Sequence, residues 1–209
     1  VKDGSLSLMT MNEAITPVNM NLTFSGNESH LEGSAAFGGG SLTVNGDVSF
    51  DHMKIGNYKG ELHIHTPSIN STYYKGSLDG DFTFGEIERF ARPGITGTLK
   101  AENAVADIPF TLLGDSGNTS LDVLTKIDVT VGNNVRLYNS ALYDMMVKGN
   151  LSILGPLSAP MVTGRVNAEK GTVKINTTEF KMNEANAIWG GEPGSLLPDI
   201  HAKAFTKVG

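Results

Sequence analysis

The chain has 209 residues, of which 39% are hydrophobic, 18% are charged, 25 are glycine and none is cysteine. That composition supports a β-rich core and excludes wholesale disorder, a helical bundle, a disulfide-stapled scaffold, zinc-thiolate sites and cysteine chemistry. A formal net charge of -6 leaves no basic field for a phosphate backbone, so nucleic acid is excluded as a partner.

Along the chain the pattern apolar-x-Gly-x-apolar-x-apolar recurs seven times, a period of two that belongs to strands. The copies are Leu31-Gly33-Ala35-Phe37, Val44-Gly46-Val48-Phe50, Tyr58-Gly60-Leu62-Ile64, Leu78-Gly80-Phe82-Phe84, Ile95-Gly97-Leu99-Ala101, Val147-Gly149-Leu151-Ile153 and Val162-Gly164-Val166-Ala168. The intervening residues, such as Lys59, Glu61 and His63 or Asp79, Asp81 and Thr83, are polar, so each strand has one apolar and one solvated face. Turn formers at Ser25-Gly26-Asn27, Gly38-Gly39-Gly40, Pro67-Ser68, Arg92-Pro93-Gly94 and Asp115-Ser116-Gly117 predict short connections and mostly antiparallel neighbours. One short helix is predicted over residues 85–92, closed by Pro93.

The glycines share parity with the apolar residues, so they stand at mid-strand on the apolar side, where glycine ordinarily weakens a sheet. Either they let the strand bend so that the sheet coils, or the missing side chain leaves a gap that a neighbouring strand or a ligand fills. The first five lie 13 to 20 residues apart, too uneven for a strict β-helix.

Catalytic and metal signatures are weak. His63 and His65 share a strand face with Glu61, a spacing that imidazole metal sites use, but that face is the solvated one and no further ligand converges; His30 and His52 lie elsewhere in the repeat. Asp79 and Asp81 form a solvated carboxylate pair with nothing to raise a proton affinity. Nucleophile elbows, phosphate loops, zincin helices and EF-hand loops are absent from the sequence, and Gly38-Gly39-Gly40 lacks a following helix. The acceptor patterns at Asn27-Glu28-Ser29, Asn70-Ser71-Thr72 and Asn176-Thr177-Thr178 are loop chemistry. No cofactor, no metal and no enzymatic activity is expected. No run approaches the roughly 20 apolar residues that span a bilayer, and Val1 opens the chain without a signal-peptide core. The expectation is an excised or processed segment whose membrane anchor lies outside it.

From Val135 onward the order of features is distinctive: Val147-Lys148-Gly149-Asn150-Leu151-Ser152-Ile153-Leu154-Gly155, then Pro160 to Gly164 and Val166, then Lys170-Gly171-Thr172-Val173-Lys174-Ile175, Glu179 to Met182, Ala187-Ile188-Trp189 and Pro198 to Ala202. This succession, over residues 135–204, resembles the C-terminal region of the TamB family, the translocation and assembly module proteins of diderm bacteria. Departures are Trp189 where phenylalanine is usual, and an end at Gly209 where family members continue. The resemblance implies an all-β, elongated, curved, mostly antiparallel sheet folded over an apolar trough, a β-taco, with relatives among AsmA-like and bridge-like lipid transporters. It implies a periplasmic protein anchored in the inner membrane, phospholipid as cargo, and in some members an Omp85-type outer-membrane barrel as partner.

The residues are read as a repeat sheet over 1–134 continuing as the family-like region over 135–209. Strands greasy on one side must close on themselves or hold a ligand, and an acyl chain fits an aliphatic and Phe-lined trough. The expected lining is Val44, Val48, Phe50, Leu62, Ile64, Leu78, Phe82, Phe84, Ile95, Leu99, Leu151, Ile153, Val162 and Val166, shaped by Gly33, Gly46, Gly60, Gly80, Gly97, Gly149 and Gly164. The rivals are a structural β-solenoid of an adhesin or autotransporter passenger, with a filled dry core, and a polysaccharide-processing solenoid enzyme, against which the lack of an Asp-Arg cluster counts.

Overall fold

The computed structural model describes residues 1–9, 11–52, 54–87, 92–107, 123–175 and 178–205. They form twelve strands: β1 (Gly4–Leu6), β2 (Ile15–Ser25), β3 (Glu28–Phe37), β4 (Gly40–Asp51), β5 (Lys54–Asn70), β6 (Tyr74–Ile87), β7 (Arg92–Ala106), β8 (Leu124–Asn139), β9 (Tyr143–Pro156), β10 (Met161–Ile175), β11 (Thr178–Gly190) and β12 (Asp199–Phe205). All twelve lie in one sheet in sequence order. Each strand pairs with the next antiparallel, except that β7 and β8 run parallel. The sheet is curved and does not close, since β1 and β12 remain its two edges. Its accessible surface of 13382 Å² compares with roughly 9,400 Å² for a compact monomer of this mass. An open sheet leaves that surplus uncovered.

Bulges crease the sheet along a line. The register slips by a residue or more between Thr66 and Ile69 in β5, Lys75 and Ser77 in β6, Ala101 and Ala104 in β7, Val131 and Val135 in β8, Ala168 and Lys170 in β10, and Met182 and Glu184 in β11. A bulge bends its strand and sharpens the twist, so bulges in adjacent strands add to one fold. The residue types suit the geometry: Asn103 and Asn134 take left-handed φ of 46° and 55°, which asparagine tolerates best among residues with side chains. Their side chains join across the crease, Asn134 Nδ2 donating to Asn103 Oδ1 at 3.0 Å. At Gly76, φ is 152° and a Cβ would stand 2.4 Å from Ala104 Cα, so only glycine fits.

The best-buried side chains collect at this crease. One cluster holds Ala104, Val135, Val147, Val166 and Ala168; the other holds Ile15, Ala35, Phe37 and Ile69. Tyr74 packs against both, and burial pushes its hydroxyl up to about 12. Thr66, fully buried, donates through Oγ1 to the Phe37 carbonyl at 2.7 Å and ties the end of β3 to β5.

Three local expectations are corrected. The predicted helix over 85–92 is strand where it is described: Gly85, Glu86 and Ile87 end β6, paired with Gly94, Pro93 and Arg92 of β7, while residues 88–91 lie outside the described residues. A helix that short is marginal alone, and the ladder to β7 offers the same backbone groups better partners. Arg92-Pro93-Gly94 accordingly begins β7 instead of forming a turn. Pro67-Ser68 is the β5 bulge, a place where a strand tolerates a residue without an N–H. The expected turns at Ser25-Gly26-Asn27 and Gly38-Gly39-Gly40 join β2 to β3 and β3 to β4, with Gly38 and Gly39 at φ of 57° and 75°. Asp115-Ser116-Gly117 and the pair Asn176-Thr177 lie outside the described residues.

Candidate functional site: the apolar face

Register places the expected lining residues in rows that cross the sheet. One row runs Met20, Gly33, Val44, Leu62, Phe82, Gly97, Ile127, Ile153, Val162 from β2 to β10. The next runs Val18, Ala35, Leu42, Ile64, Gly80, Leu99, Val129, Leu151, Gly164, Trp189. On one side of these lies Leu22, Leu31, Gly46, Gly60, Phe84, Ile95, Thr125, Gly155, and on the other Leu78, Ala101, Val131, Gly149, Val166, Ala187, Ile200. Val48 pairs with Ser29 and Tyr58, and Phe50 with Ile55, extending the same face. All fourteen expected lining residues and all seven glycines therefore share one face.

That face is incompletely covered. Of the fourteen, only Val162 and Val166 are buried; the others are half-buried. Toward the sheet edges cover falls further, with Leu22 53%, Phe24 69% and Ile200 65% exposed. A dry sandwich would seal these positions.

The glycines do three different things. At Gly33 and Gly80 neighbouring side chains fill the gap: a Cβ would stand 2.7 Å from Val44 Cγ1 and 2.7 Å from Phe82 Cε2. At Gly97, Gly149 and Gly164 the neighbouring backbone itself takes the space: a Cβ would stand 2.2 Å from the Asp81 carbonyl oxygen, 2.1 Å from that of Arg165 and 2.3 Å from that of Asn150. Gly46 and Gly60 face each other across β4 and β5 with no side chain between, a notch between Leu31 and Phe84.

The opposite face carries ladders of paired charge. His63 and His65 do not converge; each turns to the carboxylate opposite it on β6, His63 Nδ1 lying 2.6 Å from Asp81 and His65 Nδ1 against Asp79. His30 Nδ1 meets Asp47 at 2.7 Å, and Lys59 adds to that carboxylate at 3.4 Å. His52 meets its neighbour Asp51 in the β4–β5 turn. Hydrogen bonding to Asp47, then to Glu32, raises the His30 pKa, and the bond to Asp81 raises that of His63. The His30 bond in turn lowers Asp47. Among the described residues no three His, Asp or Glu side chains are placed to hold a metal ion. Two concavities, of about 530 and 660 Å³, open mainly onto polar-face residues of β2–β5 such as Thr23, His30 and Asp47 or Asn19, Glu32 and His63; neither is the apolar face.

Several members of the face escaped the sequence reading. Ile127, Val129 and Val131 complete the rows through β8 but lack the central glycine that marked the modules, although their plain alternation is visible. The crease residues Gly76, Asn103 and Asn134 carried no sequence signal beyond their tolerance of unusual φ. Among the described residues no helix is long and apolar enough to cross a membrane.

No curated protein matches the chain, and no solved structure does. The TamB C-terminal domain matches residues 31–208, reaching back through the glycine modules well beyond the 135–204 stretch in which the succession of motifs is plain. One family model thus spans both the glycine-centred strands from Leu31 onward and the distinctive last third, and the chain belongs to the TamB family, whose members are in general transport and assembly components of the cell envelope.

Proposed function

We propose that the apolar face is a groove for phospholipid acyl chains, and that the chain serves as part of a periplasmic conduit moving phospholipid between the inner and outer membranes. Its inner-membrane anchor would belong to another part of the protein. The observation that carries this reading is the run of apolar rows from β2 to β10 left half-covered by the protein's own side chains. Each methylene moved from water to such a surface contributes about 0.8 kcal/mol, so an acyl chain of about 14 methylenes recovers at most ~11 kcal/mol, close to what leaving a bilayer costs. Near-neutral exchange along similar rows suits passage better than storage. The lining offers few directed polar groups, so head-group selectivity is weak and the head group stays at the open side. Family membership supports an envelope role, and an Omp85-type barrel as partner in outer-membrane protein assembly is the second arm of the proposal.

The test is native mass spectrometry and lipid extraction of the protein purified from cells, alongside Leu62→Glu. Leu62 is half-buried mid-row, so the substitution polarises an open groove without filling a sealed core. Co-purified phospholipid that is lost in a folded Leu62→Glu protein supports the groove. A lipid-free wild type that binds no apolar probe returns the reading to a structural β-solenoid.

A further inference from the structure

Strands β3 and β4 stop at the crease, at the Gly38-Gly39 turn, where Ser68 N–H donates to the Gly38 carbonyl at 3.1 Å. Strands β5 and β6 run on past it to Asn70 and Tyr74. The stretch Met11–Ile15, which leads into β2, spans the resulting gap: Met11 bridges antiparallel to Ser71 in the β5–β6 turn, and Ile15 starts β2. It passes the end of the β3–β4 hairpin without joining either strand's ladder.

The fastening of this strap is slight. Asn12 donates its backbone N–H to the Asn70 carbonyl at 3.0 Å and its side-chain amide to Asn70 Oδ1 at 3.1 Å, the latter bond exposed. Just before the strap, Met9 is fully exposed and Leu8 is 42% exposed. The side chain the strap buries is Ile15, 7% exposed and packed with Ala35, Phe37 and Ile69, while the half-buried Met11 rests against the same cluster. That cluster is the β2 end of a lane that follows the crease through Tyr74 to Ala104, Val135 and Val147.

We infer that Met11–Ile15 is a displaceable stopper, and that the pocket of Ala35, Phe37, Ile69 and Tyr74 beneath it takes the terminal part of a lipid acyl chain when Ile15 withdraws. The pocket is aliphatic and aromatic, and its polar neighbours are already satisfied: Thr66 by the Phe37 carbonyl, and the Tyr74 hydroxyl by the Ser77 carbonyl. It therefore selects a hydrocarbon tail and offers nothing to a head group. The lane so opened adjoins the exposed rows at Ala35 and Val166 and lies deeper than their stretch around Leu62 and Phe84, and the inference rests on the acyl-chain reading of that face.

The absence of cysteine makes the test clean. The Met11–Ser71 bridge, with the Asn12 N–H bonded to the Asn70 carbonyl, is a non-hydrogen-bonded antiparallel pair, a geometry with Cα atoms about 4.5 Å apart that a disulfide spans. The double variant Met11→Cys with Ser71→Cys is incubated, oxidised or reduced, with phosphatidylethanolamine vesicles doped with a phospholipid bearing a photoreactive diazirine at its acyl terminus. Labelled peptides are then mapped. The expected result is labelling at Phe37 and Ile69 in the reduced form, cut at least fivefold on oxidation and restored by reductant, with Ile15→Ala labelled more strongly than wild type. Labelling at Phe37 and Ile69 that is equal in the oxidised and reduced forms overturns the stopper. Labelling confined to the rows around Leu62 and Phe84 in every form overturns the pocket and leaves the groove standing, whereas no labelling in any form overturns both.

Discussion

The Phe82 ring lies in the space that Gly80 and Gly97 leave on the apolar face: a Cβ at Gly80 would stand 2.7 Å from Phe82 Cε2, and one at Gly97 would stand 2.9 Å from Phe82 Cδ1. At Gly97 the Asp81 carbonyl is nearer still, at 2.2 Å, and backbone cannot step aside as a side chain can. Gly97→Ala is therefore expected to destabilise by about 2–3 kcal/mol, at the upper end of overpacking costs. Gly85→Ala is the control, because its Cβ would meet the Tyr58 carbonyl at 3.5 Å and Lys59 Cα at 4.0 Å, both ordinary contacts. It is expected to be neutral, or stabilising by about 0.5 kcal/mol through the unfolded chain. Urea midpoints of the two variants decide; equal midpoints would mean that the close approach at Gly97 is relieved cheaply.

Stability should respond to pH through the polar-face histidines. The groups facing His30 are Asp47 and Glu32, with Lys59 beside Asp47; those facing His63 are Asp81 and Glu61. Both histidines have pKa values raised above the ordinary 6.5 in the folded state. Such a group stabilises fully below its unfolded pKa, and the contribution is lost as pH rises through the raised folded value. The urea midpoint of the wild type should decline from about pH 6.5 upward, and the double variant His30→Gln with His63→Gln should flatten that decline. Parallel pH profiles would show that the pairs contribute nothing. Asp47 acts at the other end: its lowered pKa adds stability that is lost as pH falls below the ordinary 3.8.

Trp189 ends the row that begins at Val18, and its indole Nε1 donates to the Leu196 carbonyl at 3.0 Å, fastening the β11–β12 connection to the sheet. Phenylalanine would keep the packing and lose that bond, so Trp189→Phe should cost about 1 kcal/mol and raise amide exchange near Leu196. Unchanged exchange there would mean that the connection is held by other contacts, such as Gly194 N–H to the Pro160 carbonyl.

The free edge at β12 exposes an apolar side chain on each face, Ile200 65% and Phe205 48% exposed. Unpaired edges with exposed apolar residues recruit further strands, and a lysine on the edge suppresses this. Sedimentation velocity should show concentration-dependent association of the wild type, weakened in Ile200→Lys. A wild type that stays monomeric at high concentration would show that the edge protects itself.

Much of the architecture was legible because period-two patterning needs no tertiary information. Alternation of Leu62 and Ile64 with Glu61 and His63 assigns faces whatever the neighbouring strand is, and the mid-strand glycines mark strands that accept close neighbours. The short connections predicted antiparallel order, which holds everywhere but at β7 and β8. The errors came where local signals compete with the ladder. Pro67-Ser68 and Arg92-Pro93-Gly94 are turn formers in isolation, yet one is absorbed as a bulge, its Ser68 N–H taken by the Gly38 carbonyl, and the other as a strand start paired with the end of β6.

The amino-acid order alone thus determined that the chain is a one-faced β-sheet with an aliphatic side. Register and bending were decided only in three dimensions. Which glycine is filled by Val44 or Phe82 and which by a backbone carbonyl depends on the residue opposite, and that is a property of strand pairing. Likewise His63 and His65 found Asp81 and Asp79 rather than each other because β6 lies beside β5 in that register. The crease through Gly76, Asn103 and Asn134 arises from bulges that coincide across neighbouring strands, and such coincidence between residues far apart in the chain exists only once the strands are assembled.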